Sequence, residues 1–328
     1  MTGNTLYMVI PCYNEEDALP RASGVVGDKL RALMRTGKVS ENSRVLFVND
    51  GSRDGTWELI KALCADSRIF AGITLSRNRG HQNALLAGLM EARGRADMTI
   101  SLDADLQDDI NAVDAMVDGF LSGCDVVYGV RSARGRDTFF KRFTAEGYYK
   151  LLRALGCEVV FNHADYRLMS ARALDALSEY GERDLYLRGI VPMLGFKTAT
   201  VSYERGERLE GESKYTLKKM LGLASDGVVS LSLAPVRIVL GAGAACLAAA
   251  FVILIASIAG AVMGRAFSGW KIMSISIWAV GGLILLGLGV VGEYAGRAYL
   301  EAKRRPRYFV AESAGLDGGH KQNMEEIQ

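Results

Sequence analysis

Met98-Thr99-Ile100-Ser101-Leu102-Asp103-Ala104-Asp105 is the stretch on which the interpretation of this chain depends. Its first five residues form an apolar run and predict a buried strand. Asp103 and Asp105 then place two carboxylates one residue apart at the end of that strand. They suit a hard divalent cation such as Mg²⁺, which usually keeps substrate phosphates among its ligands. Two carboxylates considered in isolation also fit a solvated turn, so the neighbouring segments have to distinguish a metal site from a turn.

The first half of the chain alternates short apolar strands with helical patterns. The predicted strands are Leu6 to Ile10, Val45 to Val48, Gly72 to Leu75, Met98 to Leu102 and Val126 to Val130. The predicted helices are one that ends near Arg35, one that begins at Asp54 and one that begins at His81. Repeated units of strand, helix and strand imply right-handed crossovers and a mostly parallel sheet with helices on both faces. The predicted fold class is therefore α/β, with a Rossmann-like sheet.

Polar clusters follow four of these strands. They are Pro11-Cys12-Tyr13-Asn14-Glu15-Glu16, Asn49-Asp50-Gly51-Ser52, Arg77-Asn78-Arg79-Gly80 and Asp103-Ala104-Asp105. Ligands bind beyond the carboxyl ends of the strands in open α/β sheets, so the four clusters are expected to line one crevice. Neither GxGxxG after a strand nor GxxxxGK(S/T) occurs, which disfavours a dinucleotide site and a P-loop.

Charge and hydropathy are uneven along the chain. The 328 residues carry a net charge of +2, so no nucleic-acid partner is expected. Ile238 to Met263 and Ile272 to Gly292 contain no charged residue over 26 and 21 residues. As helices these runs would extend ~39 Å and ~31 Å, enough to cross a hydrocarbon core of ~30 Å. They predict a hairpin of two transmembrane helices, with two buried core helices as the alternative.

Basic residues flank the predicted hairpin on both outer sides. Lys214, Lys218, Lys219 and Arg237 precede it, and Arg297, Lys303, Arg304, Arg305 and Arg307 follow it. The positive-inside rule then places both flanks in the cytoplasm, although Arg265 and Lys271 in the connection make the asymmetry moderate. The first residues lack the features of a signal peptide. We expect a multi-pass protein of the inner (plasma) membrane with its large domain in the cytoplasm.

Four segments follow from these patterns. Residues 1–212 are predicted to form the α/β domain, 213–235 juxtamembrane amphipathic helices, 236–293 the hairpin, and 294–328 a cytoplasmic basic segment with a flexible tail from Ala311. Residues 213–235 mix apolar residues with lysines, as interfacial helices do. A surface helix packed on the domain is the alternative. The five cysteines are scattered and lack metal-ligand spacing, as expected in a reducing compartment.

Three of the polar clusters resemble the GT-A nucleotide-sugar domain of glycosyltransferase family 2. The resemblance is carried by the segments Val9 to Glu16, Val48 to Thr56 and Leu102 to Asp108, in this order and at family-like separations. It implies that Pro11, Tyr13 and Glu15 frame the nucleotide and that Asp50 contacts the uracil. Asp103 and Asp105 would hold the ribose and a diphosphate with its metal, Mg²⁺ or Mn²⁺. Arg77 and Gln107 complete the implied nucleotide-sugar-binding set.

One branch of that family is similar over more of the chain. The segments Ser76 to Gln82, Asp165 to Met169 and Gly211 to Tyr215, followed by the two apolar runs, resemble the polyisoprenyl-phosphate glycosyltransferases. Asp109-Ile110-Asn111 departs from the prolines of many members, which is expected to alter a loop only. The resemblance implies inverting transfer of a hexose, from UDP-glucose or a related UDP-hexose, to a polyisoprenyl phosphate (undecaprenyl phosphate in a bacterium). It also makes a homo-oligomer plausible.

An acceptor of this kind needs cations more than it needs a base. A phosphate monoester has a second pKa near ~6 and is largely dianionic at neutral pH. Guanidinium groups match phosphate geometry, so Arg131 is the favoured phosphate ligand, with Arg205 and Lys214 as weaker candidates for the acceptor phosphate. Asp165 matches the position of a family catalytic carboxylate. It could act as a base, orient Arg167 or order the metal site, or it could be merely a structural partner of Arg167.

Two other functions remain open at this point. A family 2 enzyme with a carbohydrate acceptor is disfavoured because the chain lacks a QxxRW motif and has only two predicted spans. A catalytically idle membrane scaffold is disfavoured because Asp50, Asp103 and Asp105 are all present. For Glu16, a charge in the first turn of a helix explains the residue as well as a functional role does.

Overall fold

The computed structural model describes residues 3–131, 163–182, 186–204 and 269–316. Arg205, Lys214, the predicted interfacial segment 213–235 and the first predicted span, 238–263, lie outside the described residues. The chain divides into two compact units. The first contains the sheet and resumes at Pro306 after the second, which includes Leu217–Arg305.

Eight strands and seven helices are described. The strands are β1 Leu6–Cys12, β2 Arg44–Asn49, β3 Phe70–Leu75, β4 Met98–Ser101, β5 Val126–Arg131, β6 His163–Ser170, β7 Thr198–Tyr203 and β8 Val310–Ala314. The helices are α1 Leu19–Arg35, α2 Thr56–Asp66, α3 His81–Ala92, α4 Ala112–Leu121, α5 Ala171–Ser178, α6 Leu187–Met193 and α7 Gly269–Ala302. The elements predicted for the first half are confirmed, with boundaries that move by one or two residues.

The strands form one mixed sheet in the order β7-β5-β6-β4-β1-β2-β3-β8. β4, β1, β2 and β3 are parallel neighbours, and β5 and β7 are also parallel to each other. β6 runs antiparallel to both β4 and β5, and β8 runs antiparallel to β3. The predicted α/β class with a mostly parallel sheet is confirmed. The carboxyl ends of the four central strands therefore lie at one edge.

Both faces of the sheet are covered, as the unbroken apolar strands require. In β1, Leu6, Met8 and Ile10 belong to the core under α1, α2 and α4, and Tyr7 and Val9 belong to the core under α3. Parallel strands buried on both faces lose the alternation of polar and apolar residues. The loops at the carboxyl edge therefore extend from strands that are packed on both faces.

The predicted flexible tail is wrong in its first residues. Val310–Ala314 form β8, which pairs with β3 and belongs to the same compact unit as the sheet. The α/β domain predicted as 1–212 therefore also includes residues from Pro306. The strand was missed because four of its five residues are exposed. An edge strand is held mainly by backbone hydrogen bonds, which leave little trace in hydropathy.

The long helix α7 contains the second predicted span, Ile272 to Gly292. Exposed apolar side chains recur along it every three or four residues, at Met273, Ile277, Val280, Ile284, Leu288 and Val291. Within the part of the chain that is described, no helix combines the length and apolar character required to cross a membrane.

Candidate active site

A cleft of about 420 Å³ opens at the carboxyl ends of β1, β2 and β3. Its walls include Tyr13, Asn49, Trp57, Thr74 and Arg77. Tyr13 and Arg77 were predicted to bind a nucleotide sugar, and the fold brings them to one cavity. Pro11, by contrast, is buried inside β1 opposite Val48. It can shape the end of that strand but does not form part of the open surface.

The Asp50 side chain connects the loop after β2 to the loop after β3. Its Oδ1 accepts from the Arg79 amide at 2.7 Å and its Oδ2 accepts from the Gly80 amide at 2.9 Å. Burial raises the pKa of Asp50, although these two hydrogen bonds act in the opposite direction. A Cβ on Gly51 would lie 2.6 Å from the Arg77 carbonyl carbon, and Gly51 has φ +62°. Asp50 thus shapes the cleft, and its contact with uracil stays a prediction.

Hydrogen bonds connect the first two sequence motifs, the one that follows β1 and the one that follows β2. The Asn14 amide donates to Ser52 Oγ at 2.9 Å, and Asn14 Oδ1 accepts from the Arg53 amide at 2.9 Å. The Glu15 amide donates to Thr56 Oγ1 at 3.0 Å. Glu16 Oε2 accepts from the Gly55 amide at 2.9 Å, directly before α2. Glu16 therefore faces a helix N-terminus, as the structural explanation predicts, but the helix is α2 and not its own.

The Asp-x-Asp pair lies in the turn after β4. Asp105 Oδ1 accepts from the Gln107 amide at 3.2 Å, while the Asp103 side chain is 39% exposed. Partial loss of hydration raises the pKa of Asp103, and the negative charges of Asp165, Asp108 and Asp105 add to that rise, which His81 partly offsets. Carboxylates in such an arrangement repel one another, and a bound cation would relieve that repulsion.

The donor set fits a divalent cation that is shared with a ligand. Among the residues that the structure describes, no group of three or more His, Cys, Asp and Glu side chains is placed to hold a metal ion by itself. Mg²⁺ is usually held by one or two carboxylates together with substrate phosphates. Asp103 and Asp105 are two such carboxylates, and the remaining ligands would have to come from the substrate and water.

Asp165 lies in β6 between two arginines. Its carboxylate contacts Arg167 Nη2 at 3.1 Å, Arg188 Nη2 at 2.9 Å and Arg188 Nε at 3.2 Å. Burial alone would raise the pKa of Asp165, but the charges of Arg188 and Arg167 outweigh burial and hold the pKa well below its usual range. A carboxylate with so low a pKa is a weak base. Of the roles considered from the sequence, the geometry favours orientation of arginines over proton abstraction.

Arg188 and His81 join the site without having been predicted. Arg188, in α6, is held at two points by Asp165 and is 33% exposed. His81 is the first residue of α3, with Nε2 3.6 Å from Asp103 Oδ1 and 3.8 Å from Asp165 Oδ2. Arg188 stands in no motif that could have revealed it. His81 lies inside the Ser76 to Gln82 segment, so its place in that motif was a usable signal.

Arg131 belongs to a second polar cluster. Arg131 Nη2 donates to Asp108 Oδ1 at 3.1 Å, and Arg131 Nε donates to Tyr203 Oη at 3.2 Å. The Tyr203 hydroxyl itself donates to Asp108 Oδ1 at 2.6 Å. Burial disfavours the charge on Arg131, but Asp108 outweighs it and raises the pKa of the guanidinium. Arg131 is thus a fixed positive charge at the end of β5. Asp108 and Tyr203, which hold it there, were missed.

Comparison with known proteins settles the family. The model for Glycosyl transferase family 2 matches residues 7–178, slightly more than half of the chain, and the match spans all four polar strand ends. The chain belongs to glycosyltransferase family 2. The site described above is therefore that of a family 2 glycosyltransferase, and the resemblance drawn from the three sequence motifs is confirmed.

Two relatives match this glycosyltransferase over nearly their whole length. It is 45% identical over 305 residues to an uncharacterized glycosyltransferase, YkoT, of Bacillus subtilis, which covers 93% of this chain and 90% of the relative. It is 35% identical over 307 residues to a protein of Escherichia coli named prophage bactoprenol glucosyl transferase homolog, which covers 92% of this chain and 97% of the relative. Among solved structures, it is similar to the mannosyltransferase PcManGT of Pyrobaculum calidifontis in complex with GDP-Man and Mn²⁺. That similarity has a TM-score of 0.43 at 15% identity, over 88% of each chain.

Proposed function

We propose that this glycosyltransferase transfers a hexose, glucose or a close relative, from its UDP derivative to a polyisoprenyl phosphate, with inversion at the anomeric carbon. The observation that carries the proposal is the Asp103 and Asp105 pair at the same sheet edge as the cleft lined by Tyr13 and Arg77. The relatives named bactoprenol glucosyl transferase, 35% identical over nearly their whole length, support both the sugar and the lipid acceptor.

The proposed reaction forms one bond and breaks one. An oxygen of the acceptor phosphate attacks the anomeric carbon, and the bond from that carbon to the β-phosphate oxygen of UDP breaks. A dianionic phosphate has no proton on the attacking oxygen, so no base is required. This agrees with an Asp165 that is paired with Arg167 and Arg188. Asp103 and Asp105 would hold Mg²⁺ or Mn²⁺, which supplies positive charge for the departing diphosphate.

Two fixed arginines bring further positive charge to this edge of the sheet. Arg188 is held in place by Asp165, and Arg131 by Asp108 and Tyr203. Guanidinium groups held by buried carboxylates need no reorganisation when a phosphate arrives, which is how preorganised charges lower a barrier. We assign Arg188 to the diphosphate of the donor. Its partner Asp165 lies 3.8 Å from His81, and His81 lies 3.6 Å from Asp103, so Arg188 is close to the proposed metal-binding pair. Arg131, predicted from the sequence as a ligand of either phosphate, is then our candidate for the acceptor phosphate, beside the predicted Arg205 and Lys214.

The membrane part of the proposal rests on the sequence. Two uncharged runs, Ile238 to Met263 and Ile272 to Gly292, would anchor the enzyme as a hairpin in the inner membrane, with the catalytic domain in the cytoplasm. The row of exposed apolar side chains along α7 is compatible with contact with lipid. A lipid-anchored acceptor would then present its phosphate at the membrane surface. The homo-oligomer stays a prediction, which light scattering of the detergent-solubilised protein would test.

The test is a transfer assay with purified full-length protein. Undecaprenyl phosphate is supplied with UDP-glucose, UDP-galactose, UDP-N-acetylglucosamine, GDP-mannose or GDP-glucose, each with Mg²⁺ or Mn²⁺, and the lipid product is identified by mass. We expect a hexosyl phosphate lipid from a UDP-hexose and none after chelation of the metal. Transfer to an oligosaccharide but not to lipid phosphate would contradict the acceptor. Absence of any transfer or donor hydrolysis would contradict the enzyme assignment.

A further inference from the structure

Trp57, in one wall of the cleft, is bonded to a strand near the C-terminus. Trp57, in the first turn of α2, is half-buried and lines the cleft. Its indole Nε1 donates to Glu312 Oε2 at 2.5 Å, across 255 residues of sequence. Glu312 lies in β8, outside the residues 7–178 that match the family model. A residue that lines the cleft is therefore bonded to a part of the chain that lies outside the family match.

The segment that carries Glu312 is fixed at several points. Thr74, which also lines the cleft, pairs with Glu312 in the ladder between β3 and β8. The Ser76 amide, at the cleft, donates to the Phe309 carbonyl at 3.0 Å. Arg307, three residues before β8, donates to the Tyr180 carbonyl. The backbone of β8 is thus positioned by contacts that do not involve the Glu312 carboxylate.

Two other polar side chains of the cleft, those of Asn49 and Thr74, are also held in place. Asn49 Nδ2 donates to Thr74 Oγ1 at 2.8 Å, and Asn49 Oδ1 accepts from the Ser52 amide at 3.2 Å. The indole of Trp57 is the largest aromatic surface of this cleft, and aromatic faces bind nucleobases by stacking. An indole N–H that keeps a fixed partner restricts the rotamers of the ring. A preformed wall lowers the ordering cost of binding a ligand.

We propose that Glu312 is a positioning residue that fixes the Trp57 indole as a wall of the nucleobase site, so that β8 is a functional part of the donor site. The inference rests on the proposed function, since it requires a nucleoside diphosphate in the cleft. Glu312 acts through Trp57 and does not touch the reacting atoms. Its loss weakens donor binding and leaves the transfer step nearly intact.

The experiment measures UDP binding to the full-length protein by calorimetry, with KM and kcat for the donor identified in the transfer assay. Glu312→Ala is expected to raise the Kd for UDP and the KM about two- to tenfold, the effect of one lost hydrogen bond, with kcat within about twofold. Glu312→Gln retains an acceptor oxygen and is expected to restore most of the affinity. Ser313→Ala changes the neighbouring position of β8, whose side chain points to the other face of the strand, and serves as the matched control.

Trp57→Phe provides an independent measurement, because it keeps an aromatic ring and removes the N–H donor. It is expected to weaken UDP binding as Glu312→Ala does, and the double variant is expected to be little weaker than either single variant. Additive losses would overturn the inference, as would unchanged Kd and KM in Glu312→Ala. If the unaltered protein binds neither UDP nor any UDP-hexose, the proposed function itself fails. If it binds UDP and Glu312→Ala binds equally well, only the role of Glu312 fails.

Discussion

Replacing Asp165 by asparagine removes one negative charge from a buried cluster and keeps its shape. Asp165 is 7% exposed and its partner Arg167 is fully buried. The amide would keep one acceptor oxygen but would turn an N–H₂ group towards a guanidinium. Removing one partner of a buried ion pair costs about 3–5 kcal/mol, because the other charge is left uncompensated. For a domain of this size the cost lowers Tm by roughly 6–20 °C.

The same substitution is expected to lower kcat, for a reason that can be separated from acid-base catalysis. Arg188 would lose at least one of the two hydrogen bonds that hold its guanidinium, at 2.9 and 3.2 Å, together with the charge of its partner. Misplacement of a positioning group by about 1 Å can cost on the order of 10²-fold in rate. If Asp165 acted only as a base, Asp165→Asn would lower kcat while leaving Tm nearly unchanged. The two explanations therefore predict different thermal stabilities.

The assay combines thermal unfolding with initial rates of transfer at saturating donor. Arg188→Ala is expected to lower kcat to a similar extent, and the double variant is expected to add little, since the two residues act as one unit. Asp175→Asn is the control: Asp175 pairs with Arg93 at 3.1 Å on the surface, and such pairs contribute at most about 1 kcal/mol. An Asp165→Asn protein with the Tm of the unaltered enzyme would refute the reasoning.

Three further outcomes are expected. Asp105→Asn should lower kcat by about 10²-fold or more and raise the metal concentration needed for activity, measured by metal titration of the transfer rate; unchanged turnover would remove the metal assignment. Gly88→Ala should lower the free energy of unfolding by about 1–3 kcal/mol, measured by thermal unfolding, because the new Cβ would lie 2.4 Å from Val9 Cγ1. Gly24→Ala is the control and should not destabilise the protein, because the space around Gly24 is open. The Tm difference between the unaltered protein and Asp165→Asn should be constant above about pH 5 and shrink in stronger acid, since the folded pKa lies below the unfolded value near ~3.9; a difference that shrinks as pH rises would contradict this sign.

The elements of the sheet could be predicted because their signals are local. The apolar runs at Leu6, Val45, Gly72 and Met98 are long enough to be buried on both faces, and each is followed by residues that end a strand. β8 could not be predicted in the same way. It is held by backbone pairing with β3, and its own side chains are mostly exposed.

The residues of the site also divide into those that local sequence signals predicted and those that only the structure revealed. Tyr13, Arg77, Asp103 and Asp105 were predicted, because each lies directly after a strand in a recognisable motif. Arg188, His81, Tyr203 and Asp108 were not assigned, although they contact the predicted residues Asp165, Asp103 and Arg131. Those partners come from other parts of the chain. Arg188 and Tyr203 stand in no motif, whereas His81 and Asp108 lie inside the Ser76 to Gln82 and Leu102 to Asp108 segments, where no role was predicted for them.

The sequence by itself determined the α/β class, the family and the position of the Asp103 and Asp105 pair, since these follow from hydropathy and from motifs of a few adjacent residues. Only the tertiary structure decided what the charged residues do, because the neighbours of a carboxylate determine whether it acts as a base or orients other charged groups. Asp165 lies between two arginines and is held ionised. Trp57 likewise meets Glu312 only because β8 returns to the edge of the sheet.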